Sequence, residues 1–182
     1  MSSTIGHALC GASFWLLARK NIQAPTPAIR YRWLAGFMLL ACLPDLDFIA
    51  GYIFANNVHQ YHSGASHSIV AVCLATVAIG VTLPFCRDLK ILRWIFVALA
   101  SHIVIDLFTG PQLGLYESYG VMLFWPFSTD RITMPMSLFY GVQHATFADL
   151  TSWHNLKVVG FEILTFGLLL VLQRSWMTRH AS

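Results

Sequence analysis

Seven ionisable residues interrupt or flank the apolar stretches of this chain, all within its first 106 positions: His7, Asp45, Asp47, His62, His67, His102 and Asp106. An aspartate at the centre of a membrane span costs about 2.5–3.5 kcal/mol on insertion. Such groups therefore persist mainly where they pair, bind an ion or line a polar cavity. Imidazole together with carboxylate is also the ligand chemistry of zinc, manganese and iron. Any fold available to this chain has to give these groups one another, or an ion, as partners.

The rest of the chain is what makes them expensive. Of 182 residues, 57% are hydrophobic and 10% charged, against about a quarter charged in a soluble domain. The expected fold is all-α: a polytopic transmembrane bundle of four to five helices in a single domain, residues 1–182. Four segments read as spans, at 34–55, 68–86, 91–108 and 158–172; the first three are close to the 20 or so residues a bilayer needs, and the last is shorter. A fifth, 5–17, is short. It is not a secretory signal, because Arg19 and Lys20 follow the apolar run, whereas a signal peptide carries its charge in front. The basic residues fall in short clusters with no stripe of interleaved aromatics, which excludes a nucleic-acid partner.

Those clusters orient the chain. Arg19, Lys20, Arg30, Arg32, Arg87, Lys90, Arg93, Arg174 and Arg179 fall on one side of the spans, leaving only Arg131 and Lys157 on the other. The positive-inside tendency places the nine in the cytoplasm. The amino terminus, the 56–67 loop and the long 109–157 loop then face the periplasm. All seven unusual residues fall at mid-depth or toward that outer side, and this shared sidedness points to one site.

His102 and Asp106 stand four apart, on one face of a helix, where they supply two ligands or one ligand and the carboxylate that orients it. Pro44 removes an amide donor, so Leu43-Pro44-Asp45-Leu46-Asp47 reads as an interrupted helix with both carboxylates turned to an inner cavity. The plain alternative makes Asp45 a helix cap and Asp47 a first-turn residue. Three imidazoles, His59, His62 and His67, precede the third span, and Ser66 is a candidate cap for it. The expected metal ligands are His7, Asp45, Asp47, His67, His102 and Asp106. Asp45 or Asp47 is the expected general base, and His62 a ligand or proton donor. Zinc suits these ligands, and manganese or iron fits too.

Other residues are less informative. Asp130, Arg131, His144, Asp149 and His154 lie in the outer loop, where Arg131 could hold an anion. The aromatics of that loop, from Tyr116 and Tyr119 through Trp125 to Phe147 and Trp153, suit an interfacial belt. Glu162 in the last span is a helix-packing or supporting group. Cys10, Cys42, Cys73 and Cys86 stand singly, as packing residues. Nucleotide-binding and serine-hydrolase motifs are absent.

The ordered set of an early His7, Leu43-Pro44-Asp45-Leu46-Asp47, His62-Ser-Gly-Ala-Ser-His67-Ser68, Ser101-His102-Ile-Val-Ile-Asp106 and Trp125-Pro126-Phe127-Ser128 resembles the bacterial inner-membrane proteins of the YdjM type, described as predicted membrane-bound metal-dependent hydrolases. The resemblance covers about residues 1–130. It departs from the family's His-Arg-Gly-x-Thr-His-Ser at Ser63, which stands for the arginine, and at Ser66, which stands for the threonine. The His-x-x-x-Asp element is also similar to one in zinc-dependent phospholipase C.

The combined expectation is a metal-dependent hydrolase of the bacterial inner membrane with its site toward the periplasm. It would act on an ester or phosphoester of a lipid or other amphiphilic small molecule. A metal-ion or proton transporter is the first alternative, and a non-catalytic membrane protein that recruits cytoplasmic partners the second.

Overall fold

A computed structural model of the chain describes residues 1–57, 60–110, 120–143 and 151–180. Among the described residues the regular structure is entirely helical, with no strand beyond two isolated bridges. The helices are α1 (Thr4–Ala18), α2 (Pro27–Cys42), α3 (Asp47–Ala55), α4 (Ile69–Thr82), α5 (Leu89–Leu107) and α6 (Trp153–Arg179). His59, Tyr116, Tyr119, His144, Phe147 and Asp149, singled out above, lie outside the described residues.

Side-chain caps account for the helix starts. Ser3, Thr26, Ser68, Asp88 and Ser152 each accept a hydrogen bond from a backbone N–H of the first turn. The cap of α4 is Ser68, not Ser66 as the sequence suggested; Ser66 spends its hydroxyl on Asp47 instead. The interruption expected at Pro44 is present. A 3₁₀ turn, Leu43–Leu46, joins α2 to α3, and neither Asp45 nor Asp47 makes a side-chain cap there.

Among the described residues, two segments have the length and apolarity to cross a bilayer: the α2–α3 pair, Pro27–Ala55, and α6, Trp153–Arg179. The last helix thus runs well beyond the 158–172 segment expected. α1 and α4 are apolar but shorter, at 15 and 14 residues, and the 19-residue α5 carries Lys90, Arg93 and Asp106.

α1 packs against α2, α5 and α6, and α5 also packs against α2 and α4. The approach of α1 to α2 depends on Gly11, where a Cβ would run into the Phe37 carbonyl and the Ala41 methyl. Ser13 and Gln173 exchange hydrogen bonds of 3.0 and 2.7 Å between α1 and α6. Trp15, Phe37, Ile95, Ala98 and Leu99 are buried in the main core.

Helix direction then sorts the polar residues. The start of α1, the end of α2, the start of α4 and the end of α5 carry His7, Asp45, the His67 turn and His102–Asp106 respectively. The opposite ends carry the Arg19–Lys20, Arg30–Arg32 and Arg87–Lys90–Arg93 clusters. The described part of the 109–157 loop closes over the histidine end. Met122 N–H donates to the Ser63 carbonyl, Met134 N–H to Leu107 and Val142 N–H to Met1.

Candidate metal centre

The structure brings His7, Asp45, Asp47, His62, His67, His102 and Asp106 together. His7, His67 and His102 are fully buried, Asp106 is 2% exposed, and Asp47 and His62 are 8% and 7% exposed. Four atoms converge: His67 Nε2, His102 Nε2, Asp45 Oδ1 and Asp106 Oδ2. The two nitrogens are 3.0 Å apart. From His67 Nε2 the two oxygens lie at 3.6 and 3.5 Å, and from His102 Nε2 both lie at 3.3 Å. Ligand atoms bound at about 2.0–2.1 Å around a tetrahedral ion stand about 3.3 Å from one another, so all five separations are those of a tetrahedral edge.

Hydrogen bonding behind the two imidazoles fixes which nitrogen faces inward. Ala41 lies in the last turn of α2, where helix carbonyls lack intrahelical partners. Its carbonyl accepts from His102 Nδ1 at 2.7 Å. A carbonyl only accepts, so the Nδ1 of His102 carries hydrogen and its Nε2 is the basic nitrogen. His67 Nδ1 faces Asp47 Oδ2 at 3.2 Å and the Ser66 hydroxyl at 2.9 Å, which again turns Nε2 inward. The carboxylate-behind-histidine arrangement is the one that orients metal-ligating imidazoles.

Asp47 itself points away from the convergence. Its Oδ1 meets His62 Nδ1 at 2.8 Å, while its Oδ2 accepts from Ser66 Oγ at 2.6 Å and from Ser63 N–H at 3.2 Å. His62 stacks on Phe48, ring centroids 3.6 Å apart. Arg131 ties this loop down by donating to the carbonyls of His62, Ser63 and Gly120, so its guanidinium holds backbone here.

On the other flank, His7 stacks on His102 with ring centroids 3.7 Å apart, and its Nε2 lies 3.4 Å from Asp106 Oδ1. That oxygen also accepts from Ser2 N–H at 3.2 Å. Ser2 Oγ in turn donates to Glu162, as do the N–H and hydroxyl of Ser3. Glu162 is thereby a buried tie between α6 and the chain entering α1, one residue removed from Asp106. Nothing in the sequence signalled the contribution of Ser2 and Ser3, because hydroxyls near a chain start carry no pattern.

The electrostatics ask for a cation. Three carboxylates share a buried space with four imidazoles, and burying uncompensated charge costs several kcal/mol per ion. Asp45 Oδ1, Asp106 Oδ2 and both nitrogens of His7 are buried with no hydrogen-bond partner, and orphans of this kind call for a bound group. Burial by itself would lower the pKa of His67, which lies between spans, but the carboxylates of Asp106, Asp45 and Asp47 hold it well above its usual value. The residues therefore fit a divalent ion: two sets, His7–His102–Asp106 and Asp45–His62–His67, each have ligand atoms within 4.8 Å of one another.

The chain matches the family model described as YdjM inner membrane protein over residues 1–180 and belongs to that family. No curated protein and no solved structure matches it.

Proposed function

We propose that this member of the YdjM inner membrane protein family is a membrane-bound, metal-dependent hydrolase. Its substrate would be an ester or phosphoester of a lipid or other amphiphile at the outer face of the membrane. The observation that carries the reading is the four-atom convergence of His67, His102, Asp45 and Asp106 at tetrahedral-edge spacing. Those four residues would hold the ion, zinc by the imidazole–carboxylate set, with manganese and iron accepting the same ligands. A divalent ion there would supply Lewis acidity, and it would make water nucleophilic at neutral pH once Asp45 gave up its position to act as base or the ion expanded to five-coordinate.

The remaining residues serve that reaction by position. Asp47 orients His67 through Nδ1 and holds His62, so we assign it the supporting part and not direct ligation. His62, held through Nδ1 by Asp47, presents its other nitrogen as the group that passes a proton to the leaving oxygen. Asp45, the most accessible of the three carboxylates with 14% of its side chain exposed, is the candidate base toward an incoming substrate. His7, beside Asp106 Oδ1, is placed to complete the ligand set or to hold a second ion.

Ion transport would need polar groups through the depth of the bundle. Among the described residues the buried histidines and aspartates all lie at one end, which favours a closed site. Four to five membrane crossings, with the basic clusters in the cytoplasm and the site toward the periplasm, remain part of the proposal. The charge bias and the opposite placement of site and clusters support that topology.

The test is hydrolysis by detergent-purified, metal-supplemented protein across a panel of phospholipids and carboxyesters, with Asp45→Ala as control. We expect cleavage of at least one lipid ester, lost in the variant. No cleavage by metal-saturated, folded protein would remove the hydrolase reading.

A further inference from the structure

From the basic end of the bundle, α2, α4 and α5 enclose a groove of about 800 Å³ that runs along α2 as far as Leu43. Its volume lies within the roughly 300–1,000 Å³ that ligand pockets occupy. Trp33, Leu40, Ile79, Phe85 and Ile95 form apolar walls, and Arg32, Asn21 and Asp88 stand at its polar rim.

Two further observations concern what fills it. Gly36 lines the groove in the middle of α2, and a Cβ built there meets nothing within 4 Å. The open volume is thus bounded by a residue chosen against helix propensity, at about 0.8–1 kcal/mol relative to alanine. Of the lining polar side chains, Asn21 and Asp88 are already committed, whereas Gln23 and Arg32 are not among the described residues, and Arg32 alone of them is a cation. Asp88 accepts from Lys90 N–H at 2.7 Å and Asn21 accepts from Trp94 Nε1 at 3.0 Å; outside the lining, Arg30 donates to the Ala24 carbonyl and Arg87 to the Val81 carbonyl. Arg32 makes no hydrogen bond or ion pair among the described residues.

An apolar groove in a membrane protein does not hold water well, since water needs two to four polar partners. The apolar material at hand is lipid. We infer that this groove is a site for an anionic phospholipid, with an acyl chain between α2, α4 and α5 and its phosphate on Arg32. Basic residues beside a membrane surface attract anionic headgroups, and Arg30, Arg87 and Lys90 add to the field. This lipid is not the hydrolase substrate, because its phosphoester, on Arg32, lies at the basic end of α2, whereas the metal centre lies beyond the other end of that helix, so the inference stands apart from the hydrolase reading.

The experiment is native mass spectrometry of the detergent-purified chain titrated with dioleoylphosphatidylglycerol or dioleoylphosphatidylcholine. One phosphatidylglycerol should be retained per chain, with a preference of at least about fivefold over the zwitterionic phosphatidylcholine, the effect of one arginine on a net negative headgroup. Arg32→Gln should reduce the preference about fivefold relative to wild type while keeping lipid binding. Gly36→Phe, which fills the groove, should abolish retention of both lipids, and Ile79→Trp provides a second filling variant. Helix content and a single gel-filtration peak identify which variants are folded. Equal retention of the two lipids by wild type, or undiminished retention by a folded filling variant, would overturn the assignment.

Discussion

His67 and His102 point their Nε2 atoms at one another across 3.0 Å, from the turn before α4 and from the last turns of α5. A direct N–H···N bond would satisfy that pair alone. It would leave Asp45 Oδ1 and Asp106 Oδ2, 3.3–3.6 Å away, buried without a hydrogen-bond partner. A single cation satisfies all four atoms at once, and this makes metal binding the reading with the fewest unpaired groups.

The geometry separates ligands from the group that orients them. Asp47→Ala should weaken metal affinity about 10–100-fold while leaving the site able to fill at saturation, the usual cost of losing a carboxylate behind a ligating histidine. Asp106→Ala should lose bound metal altogether. Equilibrium dialysis in metal-buffered detergent distinguishes the two, and identical losses would put Asp47 in the ligand set.

Gly11 sets how closely α1, and with it His7, can approach α2. Gly11→Ala would push a methyl into the backbone carbonyl of Phe37, a neighbour that cannot swing aside. Overpacking of this kind costs about 1–3 kcal/mol, and each kcal/mol lowers the melting temperature of a chain this size by about 2–4 °C. Thermal unfolding in detergent measures it. An unshifted melt would contradict the α1–α2 contact.

Arg131 anchors the loop that carries His62. Arg131→Gln shortens the side chain and removes its three-carbonyl grip, a loss of about 1–1.5 kcal/mol for that loop. The amide of Met122, hydrogen-bonded to the Ser63 carbonyl, should then exchange with solvent about tenfold faster. Unchanged exchange would show that the loop is held by other contacts.

Much of this site was legible because the membrane makes polar residues conspicuous. His7, Asp45, His67, His102 and Asp106 stood out against apolar neighbours for an energetic reason, and the i,i+4 spacing and Pro44 located two of the helical surfaces. What the sequence concealed was the division of labour. Asp45 and Asp47 look equivalent two residues apart, yet the 3₁₀ turn sends one toward the histidine nitrogens and the other behind His67. Ser66 read as a helix cap because serine before an apolar run usually is one, whereas tertiary contact with Asp47 claimed it. Arg131 read as an anion site because an isolated cation carries no sign of which carbonyls it will meet. Charge sidedness was visible in the sequence, and the helix directions put the basic clusters and the site at opposite ends.

The central claim rests on an ion among His67, His102, Asp45 and Asp106, and metal content per chain tests it most directly. Detergent-purified wild type should carry stoichiometric zinc, manganese or iron, and both His102→Ala and Asp45→Ala should lose it while remaining helical. A folded wild type that carries no metal and takes up none when it is supplied would contradict the account. The buried imidazoles and carboxylates would then have to balance one another by proton sharing alone.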